Sequence, residues 1–227
     1  MMKFRIIFFI SLLFLFSCKE NSKNEIKELA KYVNPFIGTG GHGHTYPGAG
    51  LPFGMVQLSP DTRLSGWDGC SGYHYSDSKI YGFSHTHLSG TGVSDYGDIL
   101  IMPATGNIEI NNSKNGYPSK FNKKNEKANP GYYSVFLDKY NIKAELTASL
   151  RSGFHKYTFP ESDDAKIIFD LNHRDKVTDS KIIIKENNII EGYRISNAWA
   201  SEQHIYFSAK LSKAFESYEI LKNDSLV

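Results

Sequence analysis

Three pairings of residues in this chain could carry chemistry. His85-Thr-His87 sets two imidazoles two positions apart. On a strand both would point to one side and could share a zinc or iron ion, with Asp95 and Asp98 as further ligands. The alternative is a satisfied pair of loop histidines, and His42-Gly-His44 is a weaker version of the same motif. Trp67-Asp68, followed by Tyr73-His74-Tyr75, suits sugar recognition instead. An aromatic face packs on the C–H groups of a pyranose, while carboxylate and imidazole groups bond its hydroxyls. Trp67 could also fill a core gap, but its place between Gly66 and Asp68 favours the surface. Cys70 near His74 hints at a thiol nucleophile, against a plainer structural or substrate-lining role.

These residues lie in a block rich in Gly, His, aromatic and Asp residues, from Tyr32 to Gly106. Such a block is poor core material and good loop material, so a rigid scaffold must hold it. The glycines of Ser89-Gly-Thr-Gly92 are not followed by the Lys-Ser/Thr of a phosphate loop or by a helix pattern. They serve positive φ or close backbone approach.

The scaffold is legible downstream. In residues 142–150 the apolar side chains occupy every second position, which predicts a strand with all five on one face. Residues 205–211 repeat the pattern, and short strands are expected at 54–58, 98–102, 132–137, 154–159, 166–171, 182–184 and 188–195. Residues 111–130, rich in Asn, Lys and Gly, read as a long exposed connection. The fold class is therefore all-β, an antiparallel β-sandwich. No clear closing strand follows residue 211, as in a domain belonging to something larger.

The N-terminus predicts the compartment. Lys3 and Arg5 precede an apolar run from Ile6 to Phe16, too short for a membrane-spanning helix of about 20 residues. Leu15-Phe16-Ser17-Cys18 is similar to a lipoprotein cleavage site, which makes 1–17 a signal peptide, Cys18 the lipidated residue and 18–31 a flexible tether with at most a helical turn or two near 25–31. An ordinary secretory signal is the alternative. Loss of 1–17 removes two positive charges and no acid, taking the formal charge from +2 to 0. Lys and Arg are scattered, with no run beyond Lys123-Lys124, so electrostatics give no case for a nucleic-acid partner. The chain has 2 cysteines, Cys18 and Cys70, so it is not a disulfide scaffold.

The loop motifs carry a resemblance. Asn34-Pro-Phe-Ile-Gly-Thr39, the run from Tyr46 to Gln57, Ser59-Pro-Asp-Thr62, the run from Gly82 to Gly92, Gly97-Asp-Ile-Leu100, Pro130-Gly-Tyr-Tyr133, Glu145-Leu-Thr147 and Trp199-Ala200 occur in order. Together they resemble the N-terminal domain of glycoside hydrolase family 92, the calcium-dependent exo-α-mannosidases. The resemblance implies a galactose-mutarotase-like supersandwich over 32–227 that packs on a C-terminal α-helical barrel, with the active site between them. It implies inverting hydrolysis of mannose-containing glycans, with the catalytic carboxylates and most of the calcium site on the barrel. No catalytic residue and no metal ligand is then expected in this chain. Trp67 matches the aromatic residue shown to the mannoside, and Asp68, His85 and His87 are further expectations for the same wall. The Trp67 context points to α-1,2 linkages. The expected location is the bacterial cell envelope, through a lipid anchor. Two other readings stand beside this one: a lipid-anchored carbohydrate-binding or interaction module without catalysis, and a metal hydrolase built on His85 and His87.

Overall fold

Alternation in residues 142–150 becomes a strand whose inward residues Ile142, Ala144 and Leu146 are buried. In the computed structural model, residues 29–108, 116–222 and 225–226 are described. The chain divides into two compact units, Met1–Val33 and Asn34–Val227. In the first, Ala30–Tyr32 form a 3-10 turn, closed by the Val33 N–H donating to the Ala30 carbonyl. The expected signal peptide, Cys18 and residues 18–28 of the tether lie outside the described residues.

The second unit is built from antiparallel strands. A first sheet runs in the order β1 (Ala49–Gly50), β2 (Gln57–Asp61), β4 (Gly82–Ser84), β5 (Leu100–Thr105), β11 (Ala165–Asp170). A second runs β10 (Gly153–Thr158), β9 (Ile142–Ala148), β8 (Tyr132–Leu137), β7 (Lys127–Asn129). Between them Leu58, Phe83, Leu100 and Met102 meet Tyr133, Val135, Leu137, Ile142, Ala144 and Leu146, all buried in one apolar cluster. Removing each such side chain from water is worth roughly 1.5–3 kcal/mol, which makes this layer the main cohesive element of the sandwich. A third sheet, β12 (Lys176–Glu186), β13 (Ile189–Asn197), β14 (Gln203–Lys210), stacks Phe207 on Phe169 of β11 at 6.3 Å. Its outer strand β12 is interrupted by two register shifts, at Val177/Asp179 and Ile184/Glu186. Two small pairs complete the strands: β3 (Lys79–Ile80) with β6 (Ser119–Lys120), and β15 (Leu221–Lys222) with β16 (Ser225–Leu226).

Two expectations are corrected here. Leu150 does not share the inner face, because β9 ends at Ala148 and Ser149 N–H closes a turn onto the Ser152 carbonyl, leaving Leu150 exposed. Residues 116–130 are not a solvated connection. Tyr117, Ser119, Phe121 and Glu126 are buried. Glu126 accepts hydrogen bonds from Tyr73 (2.9 Å) and Tyr133 (2.7 Å), and Lys123 reaches it at 3.1 Å. A buried carboxylate is tolerable only with such partners, one of which, Tyr73, comes from 53 residues away.

The same rule governs Arg194, whose guanidinium is fully buried beneath the third sheet. It forms an ion pair with Asp98 and donates to the Leu171 carbonyl (2.9 Å) and Ser196 Oγ (3.1 Å). Asp98 also accepts from Thr86 Oγ1 and Gln203 Nε2, each at 2.6 Å. Arg194→Ala would leave Asp98 buried without its cation. We expect a loss of about 3–5 kcal/mol, measured by denaturant unfolding. A loss below about 1 kcal/mol would mean that the pair is dispensable.

Candidate functional site

The loop from Gly38 to Thr45 folds back so that Thr45 N–H donates to the Gly38 carbonyl at 3.3 Å. Gly43 lies so close to that carbonyl that a Cβ there would sit 2.1 Å from its oxygen, so only glycine fits between His42 and His44. A second short turn, Trp67–Gly69, starts from Gly66 at φ 89° and presents Trp67 and Asp68 to the same place. His42 Nδ1 lies 2.5 Å from Asp68 Oδ1, and His44 Nε2 lies 3.8 Å from that oxygen. The Trp67 ring packs against both imidazoles, 5.0 Å from His42 and 4.3 Å, edge-on, from His44. Gly92, at φ 68°, lies against the site: a Cβ there would meet Trp67 Nε1 at 3.1 Å and His44 Nδ1 at 3.3 Å.

Trp67 remains 59% exposed, so it is a surface platform and not core filling. Hydrogen bonding from His42 holds the Asp68 carboxyl below its ordinary value. The result is an aromatic face bordered by one carboxylate and two imidazoles, a combination able to bind a polyol ring.

The other sequence candidates lie elsewhere. His87 is buried, with Nδ1 2.7 Å from the Gln57 carbonyl and Nε2 3.3 Å from the buried Asp61. His173 Nε2 approaches the same carboxylate at 3.4 Å. Burial alone would raise Asp61, yet the two histidines hold it well below the usual carboxylate range. His85 turns its Nδ1 to the Ile99 carbonyl (2.7 Å) and its Nε2 to His155 (3.0 Å). Asp98 is taken by Arg194, and Asp95 caps Ala200 N–H at 2.9 Å. His85 and His87 thus have separate partners and do not converge on one ion. Among the described residues, the metal-ligating grouping consists of His42, His44 and Asp68, which the sequence motif ranked second. Tyr73 is core, whereas Tyr75 is exposed beside Phe36, with ring centroids 5.9 Å apart. Cys70 is buried, and burial pushes its thiol pKa up, the opposite of an activated nucleophile.

A family model described as the glycosyl hydrolase family 92 N-terminal domain matches residues 32–227. The chain belongs to glycosyl hydrolase family 92. It is 41% identical, with a TM-score of 0.84, to the family GH92 α-mannosidase of Bacteroides thetaiotaomicron solved with mannoimidazole; the match covers 88% of this chain and 27% of that one. A GH92 inverting mannosidase from Bacteroides thetaiotaomicron VPI-5482 is 29% identical with a TM-score of 0.74, over 87% and 27% of the two chains. An uncharacterized secreted glycosidase of Arthroderma benhamiae is 31% identical over 146 residues, 60% of this chain and 18% of that protein. The chain therefore spans about a quarter or less of the length of these relatives. The antiparallel sandwich is that of the GH92 N-terminal domain. No helix among the described residues is long and apolar enough to cross a membrane.

Calcium, the ion that family resemblance implies, takes six to eight oxygen ligands. Two imidazoles and one carboxylate do not supply them, and Asp61 and Asp98 are engaged by buried cationic side chains and histidines. The described residues do not fit calcium.

In this GH92 domain the half-buried pair His85 and His155 joins β10 to the 85–99 loop region. One proton order satisfies every atom. Tyr157 O–H donates to His155 Nδ1 (2.7 Å), His155 Nε2–H to His85 Nε2, and His85 Nδ1–H to the Ile99 carbonyl. Both rings are neutral in that order. Burial holds His85 at about 4 and His155 well below the ordinary 6.5. Between those values the unfolded chain takes protons that the folded chain refuses. The pair's contribution to stability is therefore complete above pH 6.5 and lost as pH falls towards 4. Each histidine adds at most about 1.4 kcal/mol per pH unit to the slope. His155→Gln keeps a donor for His85 but does not titrate, so its stability should fall less steeply in that window. Denaturant midpoints from pH 7 to 4.5 will measure this; equal slopes for both proteins would sink it.

Proposed function

We propose that this chain forms the substrate-cleft wall of an inverting exo-α-mannosidase acting on mannose-containing glycans, with α-1,2 linkages preferred. The observation that carries this reading is the Trp67 platform with a single carboxylate beside it. Trp67 stacks on the sugar, and Asp68 bonds its hydroxyls. Inverting hydrolysis needs two carboxyl groups about 6.5–9.5 Å apart, one as acid and one as base. Asp68 alone cannot fill both roles, which supports placing the acid, the base and the calcium ligands on the part of such enzymes beyond the matched segment. His85 and His87, held by Ile99, His155, Gln57 and Asp61, back the same wall. The α-mannosidase relatives solved at TM-scores of 0.84 and 0.74 support the substrate class.

An apolar edge supports a docked second domain. Leu51, Phe53, Met55, Leu150 and Phe154 are all exposed, and Met55 N–H donates to the Leu150 carbonyl at 2.8 Å. The occupant in this reading is the helical barrel of the same enzyme, because a monomer seldom leaves such a patch in water. Cys18 would carry the lipid anchor that holds the assembly at the cell envelope.

Incubated with calcium and a chromogenic α-mannoside, the chain alone should release nothing. Calorimetric titration with α-1,2-mannobiose should show weak binding, reduced about 10-fold by Trp67→Ala, the equivalent of about 1.4 kcal/mol of stacking. Turnover by the chain alone would move the catalytic groups into it. Equal binding by wild type and Trp67→Ala would remove Trp67 from the wall. Binding with no hydrolysis even in the full-length protein would favour a carbohydrate-binding module.

A further inference from the structure

We propose that His42, His44 and Asp68 bind one zinc-class divalent ion beside the Trp67 ring. The three ligand atoms lie within 4.8 Å of one another, already gathered from two loops 26 residues apart. Tetrahedral zinc with bonds of 2.0–2.2 Å sets its ligand atoms about 3.3 Å apart. His44 Nε2 and Asp68 Oδ1, at 3.8 Å, need to close only slightly, and His42 Nδ1, at 2.5 Å from Asp68, must draw back. His42 can do so because its side chain is 72% exposed.

The second observation is independent. The His44 side chain is 6% exposed, and its Nε2 is buried with no hydrogen-bond partner among the described residues. Buried imidazole nitrogens are normally satisfied, and this one points at Asp68. A cation between them would supply the missing partner. Two nitrogens and one oxygen suit zinc, copper or nickel and not calcium or magnesium. Three protein ligands leave a fourth position, on the exposed His42 side, for water or a ligand oxygen. The Gly43–Gly38 contact holds His42 and His44 in register, so the site is preorganised on a backbone constraint.

This inference stands on side-chain geometry and does not rest on the mannoside reading; zinc binding and sugar binding are measured separately. The chain has 2 tryptophans, so a Trp199→Phe background leaves Trp67 as the one indole reporter. Metal-stripped protein in that background is titrated with zinc sulfate and, in parallel, with calcium chloride. The expected result is a saturating change in Trp67 emission at one zinc per chain, reversed by chelator, with no response to calcium. His42→Ala and Asp68→Asn should each weaken zinc binding by more than about 100-fold, beyond what loss of an outer-shell partner does. Both residues lie at the surface, so an unchanged unfolding midpoint separates ligand loss from misfolding; His204→Ala, at a surface His204–Glu202 pair, should bind zinc normally. No zinc retained after dialysis, or affinity unaltered in both His42→Ala and Asp68→Asn, would overturn the proposal.

Discussion

The ion pair between Asp98 and Arg194 is the constraint on which the rest of this domain depends. Both side chains are fully buried and are surrounded by Thr86, Leu171 and Gln203 from other parts of the chain and by the neighbouring Ser196. Isolated charges in such a place would be prohibitive, so the fold is coherent only when all of these partners arrive together. That requirement ties the third sheet to the loop region carrying Thr86 and Asp98. Asp61, set among Ser84, His87, His173 and Arg174, repeats the arrangement. Polar residues thereby do in the loop-rich half what apolar packing does between the two main sheets.

The candidate site inherits its geometry from this arrangement. Arg174, whose guanidinium approaches Asp61 at 3.8 Å, also donates to the carbonyls of Gly69 and Cys70 at the end of the Trp67 turn. The platform is therefore braced from the buried charge cluster, while its front remains wet. Rigid support beneath an exposed aromatic ring is what a binding surface requires, because the ring need not be ordered again when a ligand arrives.

What could be read from the sequence followed from local periodicity. Residues 205–211 alternate and fall within a residue or two of β14; the apolar run 132–137 has the bounds of its strand, and 188–195 lies within two residues of those of β13. The exposure of Trp67 was also legible, from its glycine and aspartate neighbours. His85-Thr-His87 misled because a shared side requires a regular strand. β4 stops at Ser84, and His87 meets Tyr96 only in a lone bridge. The importance of His42 and His44 was hidden in a contact between Gly38 and Gly43, and in a partner, Asp68, 26 residues beyond His42. Glu126 was read as solvated for the same reason: Tyr73, which clasps it, is 53 residues away. Periodicity reports which face is inside; it carries no information about which polar groups will find one another.

The irregular pairing of β12 has a consequence for how this protein behaves at high concentration. An outermost strand of 11 residues would ordinarily offer a continuous row of unpaired amides to a neighbouring molecule. Here two register shifts break that row, and charged residues, Lys176, Asp179, Lys181, Lys185 and Glu186, stand along it. An incoming strand cannot keep step past either break. Strand addition on that side is thereby disfavoured, and among the described residues the sheet ends at β12.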